Sequence, residues 1–443
     1  PILGLVILPM VASFMTSNIA PPQLAGYISL LYNFTIPLAL FYLAKTTLSK
    51  RPTGYGDTDI SDEIPTLKKY KNIVIPIGNK ELLVSPLILS ILVGGILLFI
   101  GLAPFFLQFM IPQEVLLTEQ AFDPVFGFKL LDYRLYSGGG LIGPYGMGAT
   151  VLSMFVPLAL GIGFGMYFLL RSQNVFKIRE RSKKLEDEFA SALFHLGNRI
   201  GDGVPVEIAV QKVAGMMKGT SSGEFFNLVS ANITKRGMSL EQAIFNPKSG
   251  AIVSFPSPVI ESSMKVLMES SKKGPKSASS ALINVSEYIK DIHRVNERLR
   301  DLMADIISDM KQQISILAPA IAGIVVGITS MIIGILGSLT EQIANINALS
   351  VDSATPTGLL ELFGDGIPTY YFQIIIGVYV VQIIYVMSLL INGIESGSDK
   401  LSERFLLGNN LLRSTIVYII IALAISVVFN AISSSIVSSI SVI

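Results

Sequence analysis

The sequence predicts an all-α, polytopic membrane protein with about seven transmembrane helices and a cytoplasmic helical-bundle domain in mid-chain. Three observations lead there. The 443-residue chain has a mean hydropathy of +0.60, its apolar residues gather in long runs, and between those runs lies a polar, basic block, Arg171–Gln313, with helical periodicity almost throughout.

The runs come first. A hydrocarbon core about 30 Å thick takes roughly 20 apolar residues as helix. Seven segments qualify: Ile2–Ser17, Tyr27–Ala44, Val84–Met110, Met147–Leu170, Ile314–Leu339, Tyr370–Asn392 and Thr415–Val437. The first is short and follows Pro1 with no Met before it, which points to processing or truncation; no basic n-region marks it as a signal peptide.

Charge orients the spans, because loops rich in Lys and Arg stay in the cytoplasm. Lys45–Leu83 carries seven basic residues, Arg171–Gln313 carries 21 and Gly393–Ser414 carries three, together 31 of the 33. The opposite loops hold Lys129 and Arg134 among eight acids. The N-terminus and the large domain are therefore expected in the cytoplasm and the C-terminus outside, in a multi-pass protein of the cytoplasmic membrane.

On this reading residues 1–44 form an N-terminal transmembrane hairpin and 45–83 a short cytoplasmic loop. Residues 84–170 form a transmembrane pair with an external Gly-rich loop, 171–313 the cytoplasmic helical domain, and 314–443 a C-terminal region of three spans. Within 45–83, the runs Asn72–Ile77 and Glu81–Ser85 around Gly78-Asn79 suggest a small hairpin. The external run Tyr136–Gly148 has the glycines of a phosphate loop but no Gly-Lys-Ser/Thr ending and no preceding strand. A re-entrant or pore-capping loop is expected instead.

The helical block predicts six helices. Ser182–Ile200 places Leu185, Phe189, Leu193, Leu196 and Ile200 on one stripe and ends at Gly201-Asp202-Gly203. A second helix opens near Pro205 and runs through Ile208, Ala209, Val213 and Met216. A third, Ser222–Lys235, carries Phe225, Phe226, Leu228, Val229 and Ile233 and closes at Gly237, after which Ser239 caps Leu240–Phe245. Pro256–Lys273 carries Val259, Ile260, Met264, Leu267 and Met268. The last helix, Ser277–Gln313, passes Leu282, Val285, Tyr288, Ile289, Ile292, Val295, Leu299, Leu302 and Ile306, with no Pro or Gly until Pro319. The charges among these positions form a solvated face with possible i,i+3 and i,i+4 pairs.

Composition excludes several chemistries. With no cysteine there is no disulfide, thiol nucleophile or thiolate metal site. His195 and His293 lie almost a hundred residues apart on predicted helices, so neither a metal nor a His-based catalytic centre is expected, and no cofactor. A net charge of +1 gives no reason to expect nucleic acid. The span cores carry no ionisable group, only polar residues such as Gln108, Gln373, Gln382 and Asn430, which argues against an ion-coupled transporter. Gly161-xxx-Gly165 and Gly323-xxx-Gly327 offer small faces for close packing, expected within the chain rather than between copies.

The runs Gly203–Ala214, Ile233–Ala243 and Leu267–Gly274, and in particular Gly203, Pro205, Gly237, Ser239, Leu240, Glu269 and Gly274, resemble the type II secretion system F family. That family supplies the inner-membrane platform of type IV pili, type II secretion machines and archaeal surface filaments. Bacterial members resemble two tandem helical domains with few spans. One such domain amid seven spans looks more like the archaeal branch, including the archaellum platform.

The resemblance implies a non-enzymatic platform whose partners are a cytoplasmic hexameric assembly ATPase, pilin subunits, the lipid bilayer and a second copy of the chain. The positions best suited to ATPase docking are Lys235, Arg236, Lys272, Lys273 and Lys276 at helix turns, and Glu395, Asp399, Lys400, Glu403 and Arg404 in a short loop. Each of these also reads as a solvated charge or a snorkelling anchor. A transporter or channel and a membrane signal relay are the rival functions.

Overall fold

The computed structural model describes residues 21–49, 72–77, 80–111, 131–135, 141–255, 257–349, 367–397 and 399–440. They are almost entirely helical and divide into two compact units, one drawn from residues before 58, 72–172 and 306–443, the other chiefly from 173–305.

The first unit opens with α1 (Pro21–Ser29), a π turn (Leu30–Thr35) and α2 (Ile36–Ser49). Strands β1 (Ile73–Ile77) and β2 (Lys80–Val84) pair antiparallel, Ile73 opposite Val84, as the hairpin reading expects. Then come α3 (Pro86–Met110), strands β3 (Asp132–Leu135) and β4 (Leu141–Tyr145), and α4 (Met147–Gly201), whose residues after Ser172 belong to the second unit. β3 and β4 also pair antiparallel, Asp132 opposite Tyr145 and Leu135 opposite Leu141. The second unit contains α5 (Val206–Met216), α6 (Ser221–Arg236), α7 (Leu240–Phe245), α8 (Ala251–Ser254), α9 (Pro258–Ser271) and most of α10 (Pro275–Gln312). A second π turn (Gln313–Leu317), α11 (Ala318–Leu349), α12 (Thr369–Ser396) and α13 (Lys400–Ile440) complete the first unit.

Among the described residues six helices are long and apolar enough to cross a membrane: Pro22–Ser49, Pro86–Met110, Met147–Phe176, Pro275–Ile335, Thr369–Ser396 and Lys400–Ser433. They coincide with six of the seven expected runs. Ile2–Ser17 lies outside the described residues.

Helix ends depart from the sequence expectation in one consistent way. The span Met147–Leu170 and the helix Ser182–Ile200 are a single 55-residue helix. No Pro or Gly lies between Gly165 and Gly197, so the fall in hydropathy after Leu170 marks a change of surroundings and not a helix end. Likewise most of the expected loop Gly393–Ser414 is helix, α12 running to Ser396 and α13 starting at Lys400.

Both π turns stand two residues before a proline, Pro37 and Pro319. Proline has no N–H, and its ring displaces the carbonyl four residues earlier, here Asn33 and Ser315. The residue before each proline instead donates five back, Ile36 to Leu31 and Ala318 to Gln313. At the first turn Gln382 Nε2 on α12 donates to the Asn33 carbonyl at 3.1 Å, supplying a donor where proline has removed one.

Small residues let the helices of this unit approach closely. Gly161 lies against Thr415 and Gly165 against Leu412, and a Cβ on Gly408 would stand 2.5 Å from the Leu169 nitrogen. Gly323 and Gly327 meet Ala422 and Ile425 further along α13. Both glycine pairs are thus used inside the chain. Asn430 Nδ2 donates to Ser330 Oγ at 3.3 Å, and Asn410 Nδ2 to Ser388 Oγ at 2.9 Å, linking α13 to α11 and α12. Gln373 is fully buried beside Tyr418, whereas Gln108 is only half-buried. Beside α3, the Tyr133 and Tyr370 hydroxyls donate to the carbonyls of Pro104 and Gly101 at 3.1 and 2.8 Å. Burial first, and then Tyr371, push the Tyr133 hydroxyl up to about 12, so it remains a donor at physiological pH.

The second unit has a large-residue core. Leu185, Phe189, Leu193, Leu196 and Ile200 of α4 are all buried, joined by Phe225, Phe226 and Val229 of α6 and Ile260, Met264 and Leu267 of α9. Phe226 stacks on Phe189 at 5.9 Å, and Phe225 meets Phe189 edge to face at the same distance. The six expected helices are present with the one-turn α8 added. In α5 the buried face is Ala209, Val210, Val213 and Ala214, which turns the expected core residues Ile208 and Met216 outward.

Candidate functional site

The residues that carried the family resemblance have backbone reasons to be where they are. Gly203, Gly237 and Gly274 have φ of +85°, +64° and +107°, the left-handed region that a side chain disfavours. Gly237 ends α6 as its αL cap, with Met238 N–H reaching Asn232 O and Gly237 N–H reaching Ile233 O. Pro205 sits at the N-cap of α5, one residue before the helix rather than inside its first turn. Ser239 Oγ accepts from Gln242 N–H and opens α7, whose Leu240 is buried. Glu269 is exposed on α9.

The expected docking residues fall in both units. In the second unit Lys235 and Arg236 form the last turn of α6, where they complement the carbonyl end of the helix dipole. Lys272, Lys273 and Lys276 flank Gly274 at the turn between α9 and α10. All five are exposed. In the first unit Glu395, Lys400, Glu403 and Arg404 lie on helix ends around a short connection. Asp399 caps α13, its carboxylate accepting from the N–H groups of Leu401 and Ser402 at 3.1 and 3.3 Å, while its carbonyl accepts from Asn392. Glu395 pairs with Lys311 near the end of α10 at 2.8 Å, which ties α10 to α12 at this point. Both side chains remain partly exposed, so the pair orients more than it stabilises.

Sequence reasoning passed over two acids that organise the helical unit. Glu188 accepts from Ser222 N–H in the first turn of α6 at 3.1 Å, and Glu186 accepts from the hydroxyl of Ser257, which caps α9. Each carboxylate thereby faces the positive end of a helix. Their signal is the placement of Glu186 and Glu188 between Leu185 and Phe189, both core positions. Asn232 also organises this unit, buried on α6 with its amide donating to the carbonyls of Ala243 and Ser249 at 3.2 and 2.9 Å. His293 Nδ1 stands 3.7 Å from Asp187, tying α10 to α4, while His195 meets the ring of Phe194. Among the described residues no cluster of three or more His, Asp or Glu could hold a metal ion.

One 38-residue helix, α10, starts at the exposed Lys272–Lys276 turn and leads through the π turn at Gln313–Leu317 into the apolar α11. Comparison with protein-family models, with curated proteins and with solved structures finds no match to this chain.

Proposed function

We propose that this chain is a non-enzymatic membrane platform for assembling a type IV pilus-like or archaellum-like filament. It is of the type II secretion F kind, with the N-terminus and helical domain in the cytoplasm, seven spans and the C-terminus outside. A hexameric assembly ATPase docks on the helical domain at Lys235, Arg236, Lys272, Lys273 and Lys276. Its motion passes along α10 into the spans, which shift pilin subunits out of the bilayer, and the platform works as a homo-oligomer.

The observation that supports this most is α10 itself. A helix of 38 residues spans about 57 Å at 1.5 Å per residue and transmits tilt or torque without unfolding. It meets the apolar segment at a π turn, a local irregularity that recurs at functional sites in helices.

Electron microscopy of surface filaments tests the reading. A deletion strain lacks filaments, and wild type restores them. If Lys272→Glu with Lys273→Glu also restores them, that docking face is discarded and the platform kept. Unchanged filaments in the deletion overturn the platform. A Gly-Pro insertion beside Val295 abolishes filaments while leaving membrane insertion intact; normal filaments in that variant overturn the lever.

A further inference from the structure

Helix α10 has two apolar faces, and its own fold uses only one. Ala278, Leu282, Ser286 and Ile289 are buried against the helical unit, and Ser286 Oγ donates to Ala190 O at 2.7 Å. The second face comprises Tyr288, Ile292, Val295, Leu299, Leu302 and Ile306. At about 100° per residue its centre lies about 120° round the helix from the buried face. Tyr288, Val295 and Leu302 are 64%, 59% and 63% exposed, Leu299 and Ile306 are exposed, and Ile292 is half-buried. Burial of Ala278, Leu282 and Ile289 in the helical core sets the rotation that turns this face outward.

Successive members of the stripe are spaced four, three, four, three and four residues apart. That is the heptad seam of a coiled coil, narrower than the apolar face a helix shows to a globular core. We propose that the stripe Tyr288–Ile306 is the seam through which α10 packs in parallel against α10 of a second copy of this chain. The inference gives the homo-oligomer of the proposed function its interface, and it rests on membrane insertion rather than on filament assembly.

Four considerations favour a second copy as the occupant. Every copy enters the bilayer in the same sense, so a two-fold axis along the membrane normal sets the stripe against its own image. Ile292, Leu299 and Ile306 then occupy the a positions and Tyr288, Val295 and Leu302 the d positions, each meeting its own equivalent. Across the seam the flanking Asp291 and Arg298 face Asn296 and Met303 of the other helix, so no like charges oppose one another. An anionic lipid surface is a poorer occupant, because Asp291, Glu297, Asp301 and Asp305 balance Lys290, Arg294, Arg298 and Arg300 along the same stretch, leaving no excess of positive charge to hold it there. Finally, six side chains of this size, each about half exposed, bury roughly 500 Å² per copy and roughly 1,000 Å² in the pair, the lower bound for a specific interface. Confinement to one bilayer raises the effective concentration enough for such a seam to hold.

The chain contains no cysteine, so single cysteines report without background. Val295→Cys, Leu299→Cys and Leu302→Cys on the seam, and Lys290→Cys and Glu297→Cys on the opposite face, are introduced one at a time into the full-length protein. Each is oxidised in native membranes and run without reductant. Seam positions form a reductant-sensitive dimer in at least fivefold greater yield than the opposite face, since Cα atoms must come within about 7 Å to bridge. No dimer at any seam position, or equal yield from both faces, overturns the proposal. Leu299→Asp then lowers the dimer fraction of the detergent-solubilised protein at least tenfold with helical circular dichroism retained; an unchanged dimer fraction overturns the proposal. A seam-specific dimer in a strain whose filaments survive deletion of the gene retains the interface and removes the platform. Filament loss on deletion without seam crosslinking does the reverse.

Discussion

In the helical unit the largest side chains lie inside: Phe189, Phe225, Phe226 and Leu196 are buried together, and charges such as Lys235 and Lys272 face outward. In the apolar unit Tyr32, Tyr370, Phe372 and Tyr418 are buried too, but large apolar side chains also face outward. Ile88, Ile91, Phe99 and Phe109 of α3 point out, while the helices meet through Gly161, Gly165, Gly323, Gly327 and Gly408 and through amide and hydroxyl contacts. The difference follows from solvent. Water drives large apolar surface together at about 25 cal/mol per Å², whereas lipid gives Leu or Phe no reason to leave it, so close backbone approach and hydrogen bonds decide the packing.

Mutation can break this contrast in graded steps. Phe225→Ala is expected to cost the helical unit about 4 kcal/mol, the range for an aromatic truncated in a close-packed core, read as a lowered denaturation midpoint of the purified full-length protein. Ile91→Ala in the apolar unit removes an exposed side chain and should change stability in lipid by no more than about 0.5 kcal/mol. A loss at Ile91 comparable to that at Phe225 would end the comparison. Gly408→Ala inverts the usual rule that small substitutions are mild. Its Cβ would meet the Leu169 nitrogen and the Gly165 carbonyl, and a cost of about 2–3 kcal/mol is expected, seen in unfolding by sodium dodecyl sulfate from mixed micelles.

Smaller effects sharpen the picture. Asn232→Ala leaves the carbonyls of Ala243 and Ser249 short of a donor and should cost about 2 kcal/mol, measurable in the same denaturation series. Gly237→Ala forces a side chain into φ +64° and is expected to cost about 1 kcal/mol. Lys311→Ala removes a partly exposed ion pair and should shift stability by less than about 0.5 kcal/mol. A larger loss there would show that α10 and α12 depend on this contact for more than orientation.

Six apolar stretches, the hairpin around Gly78-Asn79, the α4 stripe Leu185–Ile200 and the stops at Gly203, Gly237 and Gly274 were legible because each depends on local pattern alone: hydropathy over one span, a period of 3.6, or a residue able to take positive φ. Helix ends across Leu170 and before Thr415 were not legible, since a hydropathy change and a helix end are separate events. The proposed docking charges were legible as positions only. Tertiary structure made Glu395 a partner of Lys311 and left Lys272 and Lys273 exposed.

By itself, then, the sequence determined which segments are helical and apolar and where glycine must interrupt them, because those are properties of a chain and its immediate neighbours. Only the tertiary structure decided which faces those helices bury. The reach of Gln382 to Asn33 and the division of α10 into a buried face and an exposed heptad stripe both require knowing what lies across the gap. A helix pattern names the residues able to face a partner; the partner's distance is set by elements far away in the chain.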